Sequence, residues 1–298
     1  MTVTLEPSVA KPPTAPGLLE LEITRRCQST CQSHCYAKAG PRQGHGTMTT
    51  DEWKRVISEA ATIGTERIQL FGGEPTLHSD FAELVEHALS SGLEVIVYSN
   101  LFRVRADRWE LFSRPGVSLA TSYYADTDDG HDQVTGRTGS HAATRANIIE
   151  AHRRGIRVRV GIVGVLAGQR VAEARADLQS LGITDIHTDR VRAVGNAAEG
   201  AALPSTSALC GRCANGIAAV LSDGTVTPCV LGRFLPAGRV QGNTLQGVFS
   251  SPSWRRVAAS IPASRRDPCG PDCGPNDDSC KGGGTCDPAS GFTPTTAD

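Results

Sequence analysis

The distribution of cysteine along the chain is the feature that most narrows what this sequence can fold into. Three of its ten cysteines share one short segment, as Cys27, Cys31 and Cys35, whereas residues 36–209 contain none and the other seven follow. A disulfide framework would not leave so long a central region empty. Closely spaced cysteines in the reducing cell interior usually bind metal or carry redox chemistry. The distribution therefore predicts a cysteine-free central region with a metal-binding group at each end.

Charge and hydropathy exclude several classes of protein. The chain carries 30 basic and 31 acidic residues, and because they are scattered along it, no basic stripe indicates a nucleic-acid partner. Residues 1–16 lack the positive segment and apolar run of a signal peptide, and their Pro, Thr and Ala content is typical of a disordered lead-in. No apolar run approaches the ~20 residues that cross a bilayer. We expect a cytoplasmic protein without a membrane partner.

Residues 17–194 alternate between short apolar runs and amphipathic helical patterns. The predicted strands are Leu18–Thr24, Arg67–Phe71, Glu94–Tyr98, Val117–Ser122, Arg157–Val163 and Asp185–Arg190. The predicted helices are Thr50–Thr62, Asp80–Ser90, Asp107–Phe112, Ser140–Arg154 and Arg170–Leu181, with Thr50 and Asp80 as N-caps. Repeated strand–helix units indicate an α/β fold with a parallel sheet. Six units predict a partial (β/α)6 barrel, in which ligands bind at the carboxyl ends of the strands.

The pattern changes after the sixth predicted strand. Residues 195–208 are rich in small side chains and are predicted to be a linker. Ala218–Pro228 is predicted to be a hairpin that turns at Asp223–Gly224. From Pro262 onward Pro, Gly, Asp and Cys dominate, and such a segment cannot bury a core of its own. We therefore expect residues 209–298 to form a small cysteine-rich iron–sulfur domain that is held together by metal–thiolate bonds.

The first cysteine group directly follows the first predicted strand, in the sequence Cys27-Gln-Ser-Thr-Cys31-Gln-Ser-His-Cys35-Tyr36. Three thiolates on one loop can hold three irons of a [4Fe-4S] cube and leave the fourth iron without a protein ligand. A small molecule can then chelate that open iron. A zinc site is the structural alternative. Zinc normally takes four ligands, so His34 would have to complete the set.

This segment resembles the signature of the radical S-adenosylmethionine (radical SAM) superfamily, Cys-x3-Cys-x2-Cys followed by an aromatic residue, although its second gap is three residues long. Tyr36 stands at the aromatic position, which helps to seat adenine in that family. Gly72-Gly73-Glu74-Pro75, after the second predicted strand, resembles the family's GGEP motif, which binds the methionine amino group. The resemblance implies a [4Fe-4S] cluster on the three cysteines, with S-adenosylmethionine on its open iron.

Further residues at predicted strand ends resemble cofactor contacts of the family. Ser99 and Asn100 follow the third strand, where members contact ribose, and Ser122 ends the fourth, where a polar side chain commonly reaches the cofactor. Val163 lies on a strand that resembles the one packed on adenine. Arg137 lies in a segment, His131 to Ser140, that resembles peptide-modifying members, and its guanidinium is expected to pair with the methionine carboxylate. Taken singly, these residues are also typical of ordinary strand ends or of an exposed arginine.

The later cysteines resemble the SPASM domain of the family, which normally carries two auxiliary [4Fe-4S] clusters. Its pattern Cys-x9-15-Gly-x4-Cys is met by Cys213, Gly224 and Cys229, and a looser version of its second half follows. The predicted ligands are Cys210, Cys213, Cys229, Cys269, Cys273, Cys280 and Cys286. Seven thiolates cannot fully ligate two cubes, so one or two auxiliary clusters are expected. Zinc held by Cys210, Cys213, Cys269 and Cys273 is the alternative.

The resemblance implies that S-adenosylmethionine is cleaved reductively and that the resulting 5′-deoxyadenosyl radical abstracts a substrate hydrogen. Members with SPASM domains most often modify ribosomally made peptides, by cross-linking, epimerisation or oxidation, so a peptide is the expected substrate. An aminoglycoside or another small natural product is the alternative. The expected partners are an electron donor such as a flavodoxin or ferredoxin and, because residues 1–16 are too short for that task, a separate leader-peptide recognition protein. A non-catalytic iron–sulfur electron carrier is the alternative of another class, but a carrier needs no nucleoside pocket.

Overall fold

The computed structural model describes residues 15–31, 33–198 and 204–262. Within these ranges the chain alternates strands and helices from the start. The strands are β1 (Leu18–Thr24), β2 (Arg67–Gly72), β3 (Glu94–Tyr98), β4 (Val117–Tyr123), β5 (Val158–Gly164), β6 (Ile186–Arg190), β7 (Ile217–Val220), β8 (Thr225–Thr227) and β9 (Gly238–Arg239). The six strands predicted in the first part of the chain agree with β1–β6 to within one residue at each end. The predicted hairpin corresponds to β7 and β8.

Helices connect the first six strands and follow the last one. They are α1 (Thr50–Thr62), α2 (Phe81–Ser90), α3 (Ala106–Phe112), α4 (Asp128–Thr135), α5 (Ser140–Arg153), α6 (Val171–Ser180), α7 (Leu245–Phe249) and α8 (Pro252–Ser260). The five predicted helices match α1, α2, α3, α5 and α6 to within one residue. The sequence analysis missed α4, α7 and α8. These helices are short, and α4 is rich in Asp and contains Gly130, so its sequence favours a turn.

The prediction that Thr50 caps α1 is wrong, because Thr49 holds that position. The Thr49 hydroxyl accepts a hydrogen bond from the Glu52 backbone N–H at 3.2 Å, and the Glu52 carboxylate accepts one from the Thr49 N–H at 2.8 Å. This reciprocal pair is a capping box. Thr50 instead donates its hydroxyl to the carboxylate of Asp80. Asp80 does stand at the N-cap of α2, as predicted, but its side chain makes no capping bond.

The sheet confirms the predicted architecture. Its strand order is β6-β5-β4-β3-β2-β1-β7-β8-β9, and β1 to β6 are parallel to their neighbours. This is the simple succession of a β/α barrel that stays open between β6 and the far edge. On the other side of β1 the sheet continues with β7, which is parallel to β1, and then with the antiparallel strands β8 and β9. The chain after residue 204 therefore extends the barrel sheet.

Alternation along β1 separates the two faces of the sheet. Leu19, Leu21 and Ile23 are fully buried and belong to the core between the sheet and its helices. Glu20 and Glu22 alternate with them and point to the opposite face, where they are also fully buried. Since a buried carboxylate is costly unless it is hydrogen-bonded, these two residues indicate that the inner face of the partial barrel is a polar environment.

Several predictions concern residues that the structure does not describe. The lead-in up to residue 14 and the tail from residue 263, with Cys269, Cys273, Cys280 and Cys286, lie outside the described residues. Among the helices of the described ranges, none has the length and apolar character needed to span a bilayer.

Candidate active site

The cysteine loop, residues 25–31 and 33–36, lies at the carboxyl ends of the parallel strands and is fixed by backbone hydrogen bonds on several sides. The Cys27 N–H donates to the Gly40 carbonyl at 3.1 Å, and the Thr30 N–H donates to the Thr135 carbonyl at 3.1 Å. From a third side, the backbone N–H of Asn196 donates to the Cys35 carbonyl at 3.0 Å. These bonds come from segments far apart in the sequence. The loop geometry is therefore set by the tertiary structure.

The Gly72–Gly73 turn packs directly on the first cysteine. The Gly73 N–H donates to the Thr24 carbonyl at 2.9 Å. A Cβ atom added to Gly73 would lie 2.4 Å from the Arg26 carbonyl oxygen and 2.8 Å from the Cys27 Cβ. No side chain fits in that space, so glycine is required for the turn to approach the cysteine. The GGEP segment and the cysteine loop, which are separated in the sequence, thus form one continuous surface.

This surface is the floor of an open cavity of about 1140 Å³, counting its solvent-filled mouth. The ends of β3 to β6 complete the walls. Of the predicted cofactor contacts and first-cluster ligands, the structure brings nine to the cavity wall: Cys27, Cys31, Cys35, Tyr36, Gly72, Gly73, Asn100, Ser122 and Val163. The cavity therefore joins three thiol groups and a close-packed backbone turn with polar and apolar walls, as expected of a small-molecule site.

Glu74 is buried, is not among the residues of the cavity wall, and organises the neighbouring strand end. Its buried carboxylate accepts hydrogen bonds from the Ser99 hydroxyl at 2.9 Å, from the Asn100 backbone N–H at 2.9 Å and from the Thr76 hydroxyl at 2.7 Å. Burial raises the pKa of Glu74, and these hydrogen bonds oppose that rise. The structure therefore joins Glu74 and Ser99 by a hydrogen bond, and Pro75 is buried outside the cavity wall. Contacts of these three residues with a cofactor stay predictions.

Arg137 also lies beside the cavity wall rather than on it. Its guanidinium donates to the Gln28 carbonyl at 2.8 Å and stacks 4.1 Å from the centre of the Phe102 ring. These contacts tie the segment after α4 to the cysteine loop and to the loop after β3. The pairing of Arg137 with a methionine carboxylate stays a prediction. In this structure the side chain holds the cysteine loop.

Cys27 and Cys31 sit in an environment that favours the neutral form of their thiols in the absence of a cation. Burial raises the pKa of Cys27 to about 11 and that of Cys31 to about 12, and the neighbouring cysteines add to both shifts. Cationic iron reverses this preference, because metal ligation requires thiolates and releases their protons. The donor set of three grouped thiols fits a [4Fe-4S] cube with one iron left for a small molecule.

His34 does not complete a zinc site in the described structure. Its Nε2 atom lies 3.1 Å from the Tyr124 hydroxyl, and burial lowers its pKa to about 4, so the ring is neutral near pH 7. Within residues 15–31, 33–198 and 204–262, no three Cys, His, Asp or Glu side chains are grouped closely enough to hold a single metal ion. A cube does not require such a convergence, since each thiolate binds a different iron.

The cavity wall also carries a group of phenol and imidazole side chains, of which the sequence analysis did not single out Tyr124. Tyr98, from β3, lies with its hydroxyl 3.0 Å from the hydroxyl of Ser122. Tyr124 and His131 also line the cavity, with ring centres 5.3 Å apart. Burial lowers the pKa of His131 to about 4. Positions at the carboxyl ends of β3 and β4 were the available signal, because side chains at strand ends face the mouth of a barrel.

Three of the later cysteines fall within the described residues. Cys213 and Cys229 are joined as a disulfide, and Cys210 is a free, partly exposed thiol. A disulfide carries no thiolate, so Cys213 and Cys229 can bind metal only after reduction. The segment with Cys229 is anchored to the barrel, because the Val230 N–H donates to the Glu20 carboxylate at 3.0 Å. The assignment of the later cysteines as metal ligands stays a prediction.

A partial parallel barrel with three cysteines at the carboxyl ends of its strands defines a barrel protein that binds a metal cluster and a small molecule. The model of the Radical SAM superfamily matches residues 21–178, which is more than half of the chain. The chain belongs to the radical SAM superfamily. Membership implies a [4Fe-4S] cluster and S-adenosylmethionine as cofactors.

Curated relatives are similar to part of the chain. The PqqA peptide cyclase of Rhodopseudomonas palustris is 34% identical over 136 residues, which cover 45% of this chain and 36% of the cyclase. The sporulation killing factor maturation protein SkfB of Bacillus subtilis is 29% identical over 181 residues, which cover 60% of this chain and 44% of SkfB. The chain thus spans less than half of the length of these two relatives.

Among solved structures, the fold is similar to that of Streptococcus suis SuiB bound to the precursor peptide SuiA. The TM-score is 0.68 with 12% sequence identity, and the match covers 83% of this chain and 67% of SuiB. At this identity the likeness concerns the fold alone. The match covers a larger share of the chain than residues 21–178 of the family match do.

Proposed function

We propose that this chain is a radical SAM enzyme that modifies a ribosomally made peptide, and that Cys27, Cys31 and Cys35 hold its catalytic cluster. The observation that carries the proposal is the single cavity whose wall combines the three cysteines with the Gly72–Gly73 turn. When bound, the cluster supplies the electron that cleaves S-adenosylmethionine into methionine and a 5′-deoxyadenosyl radical. A pure electron carrier would not need a cavity beside its cluster.

The residues of the chain bind and orient the cofactors in this proposal. The backbone of the Gly72–Gly73 turn, which approaches Cys27 closely, offers polar groups to the amino group of the methionine part. Asn100 and Ser122 are hydrogen-bonding groups on the wall, and Val163 and Tyr36 are apolar and aromatic surfaces suited to a nucleoside. The Glu74 carboxylate accepts a hydrogen bond from the Asn100 backbone N–H and so fixes the position of Asn100. Enclosure between these walls protects a reactive radical from solvent.

Two kinds of similarity support a peptide as substrate. The names of the two curated relatives describe one as a peptide cyclase and the other as a maturation protein, and the solved structure of similar fold holds a precursor peptide. The cavity is also open at its mouth, where the exposed residues Arg190 and Val191 lie on the wall after β6. An open mouth admits one side chain of a longer molecule. The reaction, whether cross-linking, epimerisation or oxidation, is part of the proposal to be tested.

The C-terminal region is proposed to be a SPASM-type domain, residues 209–298, with one or two auxiliary clusters. Cys213 and Cys229 supply support, because their Cα atoms are only 5.1 Å apart although 16 positions separate them in the sequence. The fold thus gathers two cysteines of the proposed pattern. An electron donor and a separate leader-peptide recognition protein are proposed as partners.

The cluster assignment is tested with a triple variant, Cys27→Ala, Cys31→Ala and Cys35→Ala. After anaerobic reconstitution, we expect the unchanged protein to bind well over ~4 irons, the content of one cube, and to form 5′-deoxyadenosine when it is reduced. The triple variant should form none and should retain the iron of the C-terminal region. Continued formation of 5′-deoxyadenosine by the variant would show that the assignment is wrong. Binding of zinc in place of iron would favour the zinc alternative.

The substrate class is tested separately with S-adenosylmethionine, reductant and the precursor peptide encoded beside the gene. A peptide substrate should change in mass, either by losing hydrogens or by taking up deuterium from the solvent. An unmodified peptide, together with turnover of an aminoglycoside under the same conditions, would replace the peptide by the small-molecule alternative.

A further inference from the structure

We propose that the outer surface of the cysteine loop is the docking site of an acidic one-electron carrier protein of the flavodoxin or ferredoxin kind. The docking face, as we name it, consists of the exposed residues Arg26, Lys38 and Arg42. The inference rests on the proposed function, since it concerns how an electron reaches the cluster on Cys27, Cys31 and Cys35.

The first observation is an imbalance of charge confined to this part of the chain. Residues 23–50 contain Arg25, Arg26, Lys38 and Arg42 but no Asp or Glu, whereas the whole chain has 30 basic and 31 acidic residues. The segment is therefore purely cationic. The sequence shows these cations as two separated pairs.

The fold brings the two pairs together. Arg26 and Gly40 form a β-bridge, which places Arg42 two residues from the partner of Arg26. The Arg25 guanidinium joins the same two segments, because it donates to the carbonyls of Ala37 at 3.2 Å and Lys38 at 3.3 Å. Arg25 thus holds the two segments together. Arg26, Lys38 and Arg42 are exposed on these two joined segments.

The second observation is the short path from this face to the thiols. Arg26 directly precedes Cys27. The Lys38 N–H donates to the Cys35 carbonyl at 3.2 Å, and the N–H of the next residue, Ala39, lies 3.4 Å from the Cys35 sulfur. The cysteines face the cavity from the inner side of the same loop. Two residues of the docking face, Arg26 and Lys38, thus lie within three positions of the predicted cluster ligands Cys27 and Cys35. Electron transfer is fastest over a short path.

The positive charge of the docking face favours an acidic partner protein. A cationic face attracts an acidic protein and raises the rate of encounter, and this attraction weakens with salt. The peptide substrate does not need this face, since it must enter the cavity from the mouth. Weak, transient contact is typical of electron-transfer partners, and a few exposed cations without an apolar patch fit such a contact.

The test uses the double variant Lys38→Glu and Arg42→Glu in the full-length, cluster-loaded protein. Its matched control is Arg153→Glu with Arg157→Glu, which reverses two exposed arginines at the opposite, amino-terminal end of β5. Stopped-flow absorbance follows the oxidation of reduced bacterial flavodoxin by each protein at low and high salt. We expect the docking-face variant to react about tenfold more slowly at low salt, with little change for the control. The unchanged protein should slow as salt is raised.

A chemical reductant separates failure of this inference from failure of the proposed function. With dithionite, all three proteins should cleave S-adenosylmethionine. If the unchanged protein does not, the proposed function is wrong. Equal rates of flavodoxin oxidation in the two double variants would overturn the docking face. A rate for the unchanged protein that does not change with salt concentration would overturn it as well. If the double variant loses iron, the single variants Lys38→Gln and Arg42→Gln are compared with the unchanged protein instead. Each changes the charge less, so a smaller decrease in rate is expected.

Discussion

Single buried polar residues hold separate segments of the partial barrel together. The Glu20 carboxylate accepts hydrogen bonds from the Val230 N–H at 3.0 Å and from the Gln69 side-chain amide at 3.3 Å. Glu22 lies 2.9 Å from the guanidinium of Arg233 and accepts the Ser222 hydroxyl at 3.0 Å. Two glutamates of β1 thus attach the segment after β7, with Cys229, to the barrel. A sequence alone does not reveal such partners, which lie some 200 positions away.

We expect Glu20→Gln to flatten the pH dependence of stability. Burial raises the pKa of Glu20 to about 8 from 4.5. Because Glu20 holds its proton more tightly in the folded state, the free energy of unfolding is highest below about pH 4.5. This contribution is lost as the pH rises from there to about 8. Glutamine is never ionised, and the Gln69 amide can turn its oxygen toward it. The variant should therefore melt higher than the unchanged protein at pH 8, by about 2–4 °C for each kcal/mol gained.

The measurement is thermal unfolding of both proteins under anaerobic conditions at pH 5.5 and pH 8. Glu173→Gln is the control, because Glu173 is about half exposed and its substitution should leave the profile unchanged. An identical loss of stability between the two pH values in Glu20→Gln and the unchanged protein would rule out Glu20 as the source.

At the scale of secondary-structure elements, α4 is the support of the cysteine loop. The Thr135 carbonyl at its end accepts the Thr30 N–H, and the Gly136 carbonyl accepts the Thr30 hydroxyl at 3.0 Å. Gly136 ends the helix with φ of 62°, in the left-handed region. The Arg137 guanidinium then binds Gln28. A short helix that the sequence analysis missed therefore holds the loop on which the cluster ligands lie.

We expect Gly136→Ala to impair loading of the first cluster. An added Cβ would lie 2.5 Å from the Thr30 hydroxyl and 2.7 Å from its carbonyl oxygen, so the cysteine loop must shift. Gly139→Ala is the matched control. Gly139 has φ of 78°, but its added Cβ meets nothing within 4 Å. Both variants share a backbone strain of about 1–2 kcal/mol.

Iron content and 5′-deoxyadenosine formation, measured after identical reconstitution, distinguish the two variants. Gly136→Ala should lose a large part of both, while Gly139→Ala should keep most of both. Equal losses in the two variants would mean that strain at the helix end, rather than contact with Thr30, is responsible.

At the scale of the whole molecule, the region after the sixth strand is joined to the barrel by backbone and by side chains. β7 pairs with β1 in parallel from Leu18 to Leu21, and the buried residues Leu209, Val230 and Leu231 share one apolar cluster with Leu18. Residues 204–262 therefore need no separate core. The tail from residue 263 has a different composition, with few apolar residues and four cysteines.

We expect removal of iron to expose that tail to proteases while the barrel stays resistant. Metal–thiolate bonds would be its main source of folding energy, because so few apolar residues are available for burial. Limited proteolysis before and after chelation, followed by mass spectrometry, should show cleavage beyond residue 262 only in the chelated sample. A variant with Cys269, Cys273, Cys280 and Cys286 changed to Ser should be cleaved in both. Equal resistance with and without iron would mean that other contacts hold the tail.

The sequence determined the six strands of the partial barrel, most of the helices and the family. Apolar runs and helical periodicity are local signals, and they placed β1–β6 to within one residue because each element is decided mainly by its own residues. The cysteine spacing and the Gly72–Gly73 pair were also visible locally, since their chemistry depends on residue type. The structure brings nine of the predicted first-cluster and cofactor residues to one cavity.

The tertiary structure alone decided what each side chain faces. Glu74, Ser99 and Arg137 belong to the right motifs but lie behind the cavity wall, because their hydrogen-bond partners come from other strands and loops. The wall positions of Tyr98 and Tyr124, the support from α4 and the gathering of Arg26, Lys38 and Arg42 likewise depend on contacts between distant segments. Such contacts form only when the chain closes into the barrel, so no local pattern in the sequence can specify them.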